Sequence, residues 1–158
     1  MSAGATAPAP VAIHASALAL GEAGIVIRGA SGAGKSSLAL ALLEAARQAG
    51  RFGALIGDDR VHLSAHHGRL IARGHPAVRG KIERRGQGLL EIGAEPAAMV
   101  RLIVDILPPD QVLRYPDPVN PYVTLCDVEL PQLRLRAGDG AYDSALVIVA
   151  WLRQFGAI

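Results

Sequence analysis

The sequence predicts one α/β domain with a strand-rich middle. The segment Lys35–Arg47 is rich in Ala and Leu, as a helix is, and we expect a second helix at about Tyr142–Phe155. The segments around them are short apolar runs or alternate every second residue, and Gly, Pro and Asp bound them, as is typical of strands. A chain of 158 residues can bury one substantial core. We expect residues 11–158 to form this domain and residues 1–10, rich in Ala and Pro, to be poorly ordered.

The predicted elements follow one another with few breaks. In chain order they are a strand pair in Val11–Leu20, a buried strand at Ile25–Ile27, the first helix, a buried strand at Ala54–Ile56, a hairpin from Val61 to Ala72 turning at His66-His67-Gly68, strands at Leu89–Ile92 and Leu102–Leu107, a strand region Val123–Leu135 interrupted at Pro131, and the second helix. The segment 108–121 holds five prolines and predicts a loop.

Composition excludes several classes of protein. Hydrophobic residues make up 51% of the chain and charged residues 19%, a globular balance. The net charge of +2 is too small to indicate nucleic-acid binding, although it suits an anionic ligand. The lone cysteine, Cys126, excludes an internal disulfide and a cysteine-based zinc site, and we expect it to be a small buried hydrophobe.

The N-terminal segment does not have the pattern of a signal peptide. Residues 1–21 contain no Lys, Arg, Asp or Glu, so the basic start of a signal peptide is missing, and Pro8, Pro10 and His14 break the apolar run. No other stretch is apolar enough for a membrane span. We therefore expect a cytoplasmic protein that binds neither membranes nor nucleic acid.

The strongest functional signal is Gly29-Ala30-Ser31-Gly32-Ala33-Gly34-Lys35-Ser36, which matches the phosphate-binding loop GxxxxGK[ST]. It stands between a predicted buried strand and a predicted helix, the context that such a loop needs. Its glycines let successive N–H groups converge on one anion, and the helix N-terminus favours negative charge. We expect this loop and Ser37 to bind nucleotide phosphates, with Lys35 at the terminal phosphates and Ser36 on Mg²⁺. The alternatives are a loop with a purely structural role and a degenerate loop that binds no nucleotide.

Carboxylates accompany two of the predicted strands. Asp58 and Asp59 follow the run Ala54–Ile56, and Asp105 lies within Leu102–Leu107. Adjacent residues of an extended chain point to opposite faces, so Asp58 and Asp59 should have different tasks, one on Mg²⁺ and one accepting a proton. A polar turn that merely ends the strand is the alternative. Asp105 competes with Asp58 for the metal.

A further polar segment, Glu83-Arg84-Arg85-Gly86-Gln87-Gly88, precedes the strand Leu89–Ile92. Its two glycines predict a sharp turn or a close backbone approach. Alternation places Glu83 and Arg85 on one face, where a solvated surface pair is the alternative to a functional one.

Taken in order, these motifs resemble the catalytic domain of HPr kinase/phosphorylase, a bacterial enzyme that phosphorylates a serine of a small phosphocarrier protein and can reverse this by phosphorolysis. His14 lies fifteen residues before Gly29, where that family has a histidine. The loop, the acidic pair 58–59 and a Glu83-x-Arg85-Gly86-x-Gly88 signature follow, so the resemblance covers about residues 13–106. The chain is similar to the short form found in α-proteobacteria, which lacks a separate N-terminal domain.

The resemblance implies a P-loop kinase domain of the HPr kinase/PEP carboxykinase-like type, a strand-rich mixed sheet with flanking helices. It implies that His14 and the pair 58–59 belong to the catalytic group, with one aspartate as the base for the acceptor serine. It further implies that Lys35 and Arg85 act on the transferred phosphate and that the metal is held by Ser36, Asp58 and Glu83.

The expected function is therefore an ATP- and Mg²⁺-dependent protein-serine kinase for an HPr-like phosphocarrier, with phosphorolysis as a second activity and a homo-oligomer, a hexamer in the family, as the assembly. A kinase for a small-molecule acceptor and a nucleotide-binding sensor with little catalysis are the alternatives. The family's late proline-glycine-arginine-asparagine segment is replaced by Arg136-Ala137-Gly138-Asp139-Gly140, with Arg134 or Arg136 as candidate substitutes for its arginine.

Overall fold

A computed structural model describes residues 8–114 and 121–158. In chain order the strands and helices are β1 (Val11–Ile13), β2 (Ala15–Leu20), β3 (Ala23–Gly29), α1 (Lys35–Gln48), β4 (Gly53–Gly57), β5 (Val61–His66), β6 (Arg69–Gly74), β7 (Lys81–Arg84), β8 (Gly88–Glu91), β9 (Ala97–Leu107), β10 (Tyr122–Leu125), β11 (Val128–Arg136) and α2 (Ala141–Gln154). Short 3-10 helices span Pro76–Val78 and Pro109–Gln111.

One mixed sheet forms the body of the fold, with the order β1-β5-β6-β9-β3-β2-β4 and with β11 and then β10 branching from β9. The long strand β9 pairs in parallel with β3 and β11 and, through its first residues, antiparallel with β6. Strand β2 is antiparallel to both β3 and β4. Strands β7 and β8 form a separate hairpin.

The strand directions place His14, the phosphate-binding loop and the acidic pair 58–59 at one edge of the sheet. Because β2 is antiparallel to both of its neighbours, β4 runs the same way as β3, β9 and β11. The carboxyl ends of these four strands, and the amino end of β2 that follows His14, therefore meet at the same edge. Open α/β sheets bind ligands at this edge.

Two apolar cores lie on opposite faces of the sheet. Both helices pack on one face, against alternate residues such as Leu18, Ile27 and Val104, and Ile82 anchors the β7–β8 hairpin in the same layer. The opposite face, including Val26, is covered by the β5–β6 and β10–β11 hairpins. Burial on both faces explains why the central strands have continuous apolar sequences instead of an alternating pattern.

A β-bulge in β4 sets the direction of the residues that follow it. Ala17 of β2 pairs with Gly57, but the next residue of β2, Leu18, pairs with Leu55, so Ile56 is an extra residue in β4. Continuing this register past Gly57 brings Asp58 opposite Ser16. Without the extra residue Asp58 would lie opposite Ala15 and face the other side of the sheet, because a one-residue slip reverses side-chain directions.

The bulge depends on a glycine in the neighbouring layer. A Cβ built on Gly74, at the end of β6, would lie 1.9 Å from the carbonyl oxygen of Ile56. Only glycine lets the strand approach the bulged backbone so closely.

The predicted elements are found, but β7 was not predicted and β9 begins at Ala97 instead of Leu102. Three further corrections concern pairing, a strand break and Cys126. The two strands within 11–20 do not pair with each other, since β1 pairs with β5 and β2 with β3 and β4. The region 123–135 breaks at the Cys126–Asp127 turn, and Pro131 lies inside β11 where the strand leaves β10 for β9. Cys126 is half-buried at that turn instead of buried in a core.

Two sequence predictions fall partly outside the described residues. These are the disorder expected for 1–10, of which residues 1–7 lie outside, and the proline-rich loop 108–121, of which residues 115–120 lie outside. Among the described residues, neither helix has the length and apolar character needed to cross a membrane.

Candidate active site

A polar cavity of about 350 Å³ opens at the sheet edge where the motifs converge. The residues that line it come from four separate segments of the chain. They are His14, Ser31, Gly32, Gly34, Lys35, Ser36, Ser37, Asp59, Glu83 and Arg85. Local sequence motifs separated by up to 71 positions, from His14 to Arg85, thus form one site.

The phosphate-binding loop connects β3 to α1 and leaves the helix N-terminus open toward the cavity. Gly34 precedes the helix with φ 104° and Gly32 has φ 80°, conformations that residues with a Cβ rarely adopt. Gly34 has no side chain to cap the first helical N–H groups, and Lys35, Ser36 and Ser37 add no carboxylate in the first turn. These N–H groups and the positive end of the helix dipole favour binding of an anion.

The loop residues Gly29 and Ala33 contribute to packing and do not line the cavity. A Cβ on Gly29 would lie 3.0 Å from the carbonyl oxygen of Ile106 and 3.2 Å from the Cβ of Ala33, so glycine lets the loop start against β9. Of the predicted nucleotide-binding residues, Gly29, Ala30 and Ala33 are not among those that line the cavity.

The Lys35 side chain is folded back onto its own loop. Its Nζ donates to the carbonyl oxygens of Gly29 at 2.9 Å and Ala30 at 3.0 Å, and the residue is only 5% exposed. The ammonium group therefore lies at the base of the cavity, at the first residue of α1, where phosphate oxygens can replace the two carbonyls as acceptors.

Asp58 lies just beneath the cavity and is held by two serines. Ser16 Oγ donates to Asp58 Oδ1 at 2.6 Å, and Ser36 Oγ lies 2.9 Å from Oδ1 and 3.0 Å from Oδ2. Asp58 is 8% exposed. The bulge in β4 produces this arrangement by turning Asp58 toward the helix layer.

Asp59, one residue later, opens into the cavity. The chain turns sharply, with Arg60 N donating to Asp58 O at 2.7 Å, and Asp59 has φ 61°. Its Oδ1 lies 3.4 Å from His14 Nε2, and the two side chains are 63% and 58% exposed. The expectation that the two aspartates point to opposite faces of an extended chain is wrong, because the chain is not extended at Asp59; they differ in burial instead.

The β7–β8 hairpin closes the far side of the cavity with Glu83 and Arg85. Gly86 and Gly88 have φ of 85° and 82°, which confirms the predicted sharp turn. Glu83 and Arg85 both line the cavity, as alternation predicts. A Cβ on Gly32 would lie 3.8 Å from Arg85 Nη2, so the guanidinium reaches over the phosphate-binding loop.

Asp105, the other candidate for the metal, is paired with residues outside the cavity. Arg28 donates from Nε to Asp105 Oδ1 at 2.7 Å and from Nη2 to Oδ2 at 2.8 Å, and the amide of Gln132 also donates to Oδ2. This bidentate pair joins the ends of β3 and β9 directly below the start of the loop. Between the two carboxylates, the structure places Asp58 beside the loop serine.

Three residues of this region were missed in the sequence: Ser16, Arg28 and Gln132. Ser16 is the one polar residue in the buried run Ala15–Leu20, and Arg28 follows the run Ile25–Ile27. A polar side chain within an apolar strand must find a partner, which is the signal that could have singled them out. The sequence cannot tell which partner it finds.

The oxygens around Ser36 fit a magnesium ion. Mg²⁺ prefers hard oxygen ligands and commonly takes one or two protein oxygens together with phosphate and water. Ser36 and Asp58 supply a hydroxyl and a carboxylate within 3.0 Å of each other, and Glu83 stands across the cavity. Within 8–114 and 121–158 no three His, Cys, Asp or Glu side chains cluster as a self-sufficient metal site, so the ion would share its coordination with the nucleotide.

A larger cavity, about 710 Å³, lies at the opposite end of α1. Its walls, from residues such as Phe52, Leu146 and Ile158, are mainly apolar. It contains neither the open helix N-terminus nor the paired acids, so we assign the polar site to the smaller cavity.

Fold and site together define a P-loop nucleotide-binding domain, with the loop at the carboxyl edge of a mixed sheet and a carboxylate beside the loop serine. A family model, HPr Serine kinase C-terminal domain, matches residues 7–153. The chain belongs to this family.

Two known proteins illustrate the relationship. The HPr kinase/phosphorylase of Mycoplasma mycoides subsp. mycoides SC is 37% identical over 79 residues, which cover 50% of this chain and 23% of that protein. The structure of the Hpr(Ser) kinase/phosphatase from Coxiella burnetii matches with a TM-score of 0.75 at 24% identity, over 93% of this chain and 91% of that one. The structural match confirms the predicted fold class.

Proposed function

We propose that this chain is a protein-serine kinase that transfers the terminal phosphoryl group of MgATP to a serine of an HPr-like phosphocarrier protein. Family membership and the names of the two relatives support the reaction and the substrate. The single observation that carries the proposal is the convergence, in one cavity, of the phosphate-binding loop with Asp59, His14, Glu83 and Arg85.

In this proposal the phosphate chain lies on the loop and the N-terminus of α1. Lys35 exchanges its two loop carbonyls for phosphate oxygens, and Arg85 neutralises charge from the opposite side. Ser36, Asp58 and Glu83 would hold Mg²⁺. The ion, when bound, supplies positive charge to the bridging and terminal phosphate oxygens.

Asp59 is the proposed base for the acceptor serine. It is the carboxylate that opens into the cavity, and His14 Nε2 at 3.4 Å orients it. Asp58 is less suitable because its Oδ1 already accepts from Ser16 and Ser36. As the serine oxygen attacks the terminal phosphorus, Asp59 takes the serine proton and ADP leaves.

The exposure of this pair favours a protein acceptor over a small molecule. Asp59 and His14 are 63% and 58% exposed, so the reacting hydroxyl approaches from the surface instead of entering a closed pocket. A serine on the surface of another protein meets this requirement.

The same groups serve the reverse reaction that we propose as the second activity. An oxygen of inorganic phosphate attacks the phosphorus of phosphoserine and forms pyrophosphate, while protonated Asp59 returns a proton to the departing serine oxygen. The name of the Mycoplasma relative, HPr kinase/phosphorylase, supports this activity. We place the protein in the cytoplasm as a homo-oligomer, a state that light scattering after size-exclusion chromatography measures.

The test is transfer from labelled ATP to HPr-like carriers, read by mass spectrometry of the carrier, with serine-to-alanine carriers as blanks. Asp59→Asn should lower transfer by roughly 10²-fold or more, the scale of losing a general base, and leave MgATP affinity near that of the wild type. Asp127→Asn is the matched control, because Asp127 is also exposed with φ 61° but sits in the β10–β11 turn. Wild-type protein that binds MgATP but phosphorylates no carrier would refute the kinase proposal and favour a nucleotide sensor.

A further inference from the structure

Ser16 is the second residue of β2, buried within the sheet, and it lies at the edge of the candidate site. It belongs to β2, is 0% exposed, and pairs with Ile27 of β3. Its neighbours on the same face, Leu18 and Leu20, are part of the core beneath the helices. A hydroxyl at this position is desolvated and must have a partner within the protein.

That partner is Asp58. The 2.6 Å distance from Ser16 Oγ to Asp58 Oδ1 is typical of a hydroxyl donating to a carboxylate. Ser36 Oγ approaches both carboxylate oxygens at nearly equal distance, 2.9 and 3.0 Å, and so does not fix the rotation of the group. Ser16 fixes the rotation of the carboxylate, because its hydroxyl contacts Oδ1.

We propose that Ser16 is a positioning residue that fixes the carboxylate of Asp58 so that Oδ2 is presented to a magnesium ion, or to its water, beside Ser36. The inference rests on the proposed function, since it assumes that MgATP binds at the loop. When a residue that hydrogen-bonds a metal-binding side chain is mutated, metal affinity or activity typically falls by about 10- to 100-fold. Ser16 occupies such a place for Asp58.

The local fold supports a specific role for this contact. The bulge at Ile56 places Asp58 opposite Ser16, and the regular register would have placed it opposite Ala15. The bulge and the serine therefore act on the same carboxylate. The bulge determines the face of the sheet to which Asp58 points, and Ser16 determines the rotation of its carboxylate. If Ser16 merely satisfied burial, its removal would affect stability and leave the metal dependence of nucleotide binding unchanged.

Calorimetric titration of ATP into the full chain, with and without Mg²⁺, separates the two roles. The measured quantity is the factor by which Mg²⁺ raises ATP affinity. Ser16→Ala should reduce this factor by about 10-fold and leave metal-free ATP affinity unchanged. Ser16→Thr, which retains the hydroxyl but adds a methyl group to a filled core, should lower the melting temperature and keep the factor.

Ser64→Ala is the matched control. Ser64 is also a buried serine on a strand, 6% exposed, whose Oγ lies 3.1 Å from His66 Nε2 and 3.2 Å from Arg73 Nη1. Its loss should lower stability and leave the Mg²⁺ factor intact. If Ser16→Ala does not fold, Ser16→Cys, which keeps the shape with a weak donor, carries the same comparison.

The outcomes are distinct. A Mg²⁺ factor reduced in Ser16→Ala but not in Ser16→Thr or Ser64→Ala supports the positioning role. An undiminished factor in Ser16→Ala, or an equal reduction in Ser64→Ala, overturns it. Wild-type protein that binds no ATP under either condition overturns the proposed function itself.

Discussion

Replacing Gly74 by alanine should damage the candidate site from a position outside the cavity. The new Cβ would lie 1.9 Å from the carbonyl oxygen of Ile56, whereas real Cβ contacts essentially never fall below 3.0 Å. Backbone on one side must therefore move by about 1 Å. Ile56 is the bulged residue that turns Asp58 toward Ser36, so the displacement falls on the segment that aims this carboxylate.

Two effects of different size follow. Overpacking in a core costs roughly 1–3 kcal/mol, and a clash with a strand carbonyl should be near 3 kcal/mol, which lowers the melting temperature by about 6–12 °C in a chain of this size. Misplacing a reacting or metal-binding group by about 1 Å can cost 10²-fold in rate. We expect Gly74→Ala to lose phosphotransfer by about that factor at temperatures where it remains folded.

Two glycine variants provide the controls, with urea unfolding and transfer rates measured in parallel. Gly24→Ala would clash with Met99 O at 2.5 Å, but at the start of β3, far from the loop; it should lose stability and keep transfer. Gly93→Ala has nothing within 4 Å of the new Cβ and should change neither. The reasoning is refuted if Gly74→Ala loses stability yet transfers within about threefold of wild type, or if Gly24→Ala loses transfer equally.

Two further predictions concern charge pairs. Arg28→Met leaves Asp105 with Gln132 as its main partner and should lower the free energy of unfolding in urea by about 3 kcal/mol. This is the lower end for a broken buried pair, because the Arg28 side chain is 29% exposed. The double variant Arg28→Met/Asp105→Leu should regain most of this stability, and a double variant that regains none would contradict a coupled pair. The hydrogen bond from Arg47 lowers the pKa of Glu44 from 4.5 to about 2. The stability that this carboxylate contributes is therefore complete above the pKa of the unfolded state, 4.5, and disappears as the pH falls through about 2. The difference in unfolding free energy between wild type and Glu44→Gln should shrink in that window, and an NMR titration of Glu44 with a midpoint near 4.5 would contradict this prediction.

The sequence predicted the phosphate-binding loop well because its signals are local. The strand before Gly29, the glycines with positive φ and the helix from Lys35 each follow from residues within one segment. The turn at Gly86 and Gly88 was predicted for the same reason. Such features require no knowledge of what lies across the sheet.

The competition between Asp58 and Asp105 could not be decided in this way. Both carboxylates accompany short apolar strands, and their neighbours in the sequence do not distinguish them. The structure distinguishes them by a register shift in β4, which brings Asp58 beside Ser36, and by Arg28, which binds Asp105 from 77 positions away along the chain. Register and long-range pairing are properties of the assembled sheet, so they become visible only in the structure.

The register shift also explains how neighbouring aspartates acquire different environments. In a regular strand, Asp58 would face the side of the sheet away from the helices, and neither serine could reach it. The extra residue brings it under α1, and the left-handed turn at Asp59 then directs the next carboxylate outward toward His14. One buried acid held by hydroxyls and one open acid beside an imidazole are what a metal site and a proton acceptor respectively require. The different environments of the two acids, on which the proposed division of roles rests, therefore depend on a single inserted residue, Ile56, and on the glycine that makes room for it.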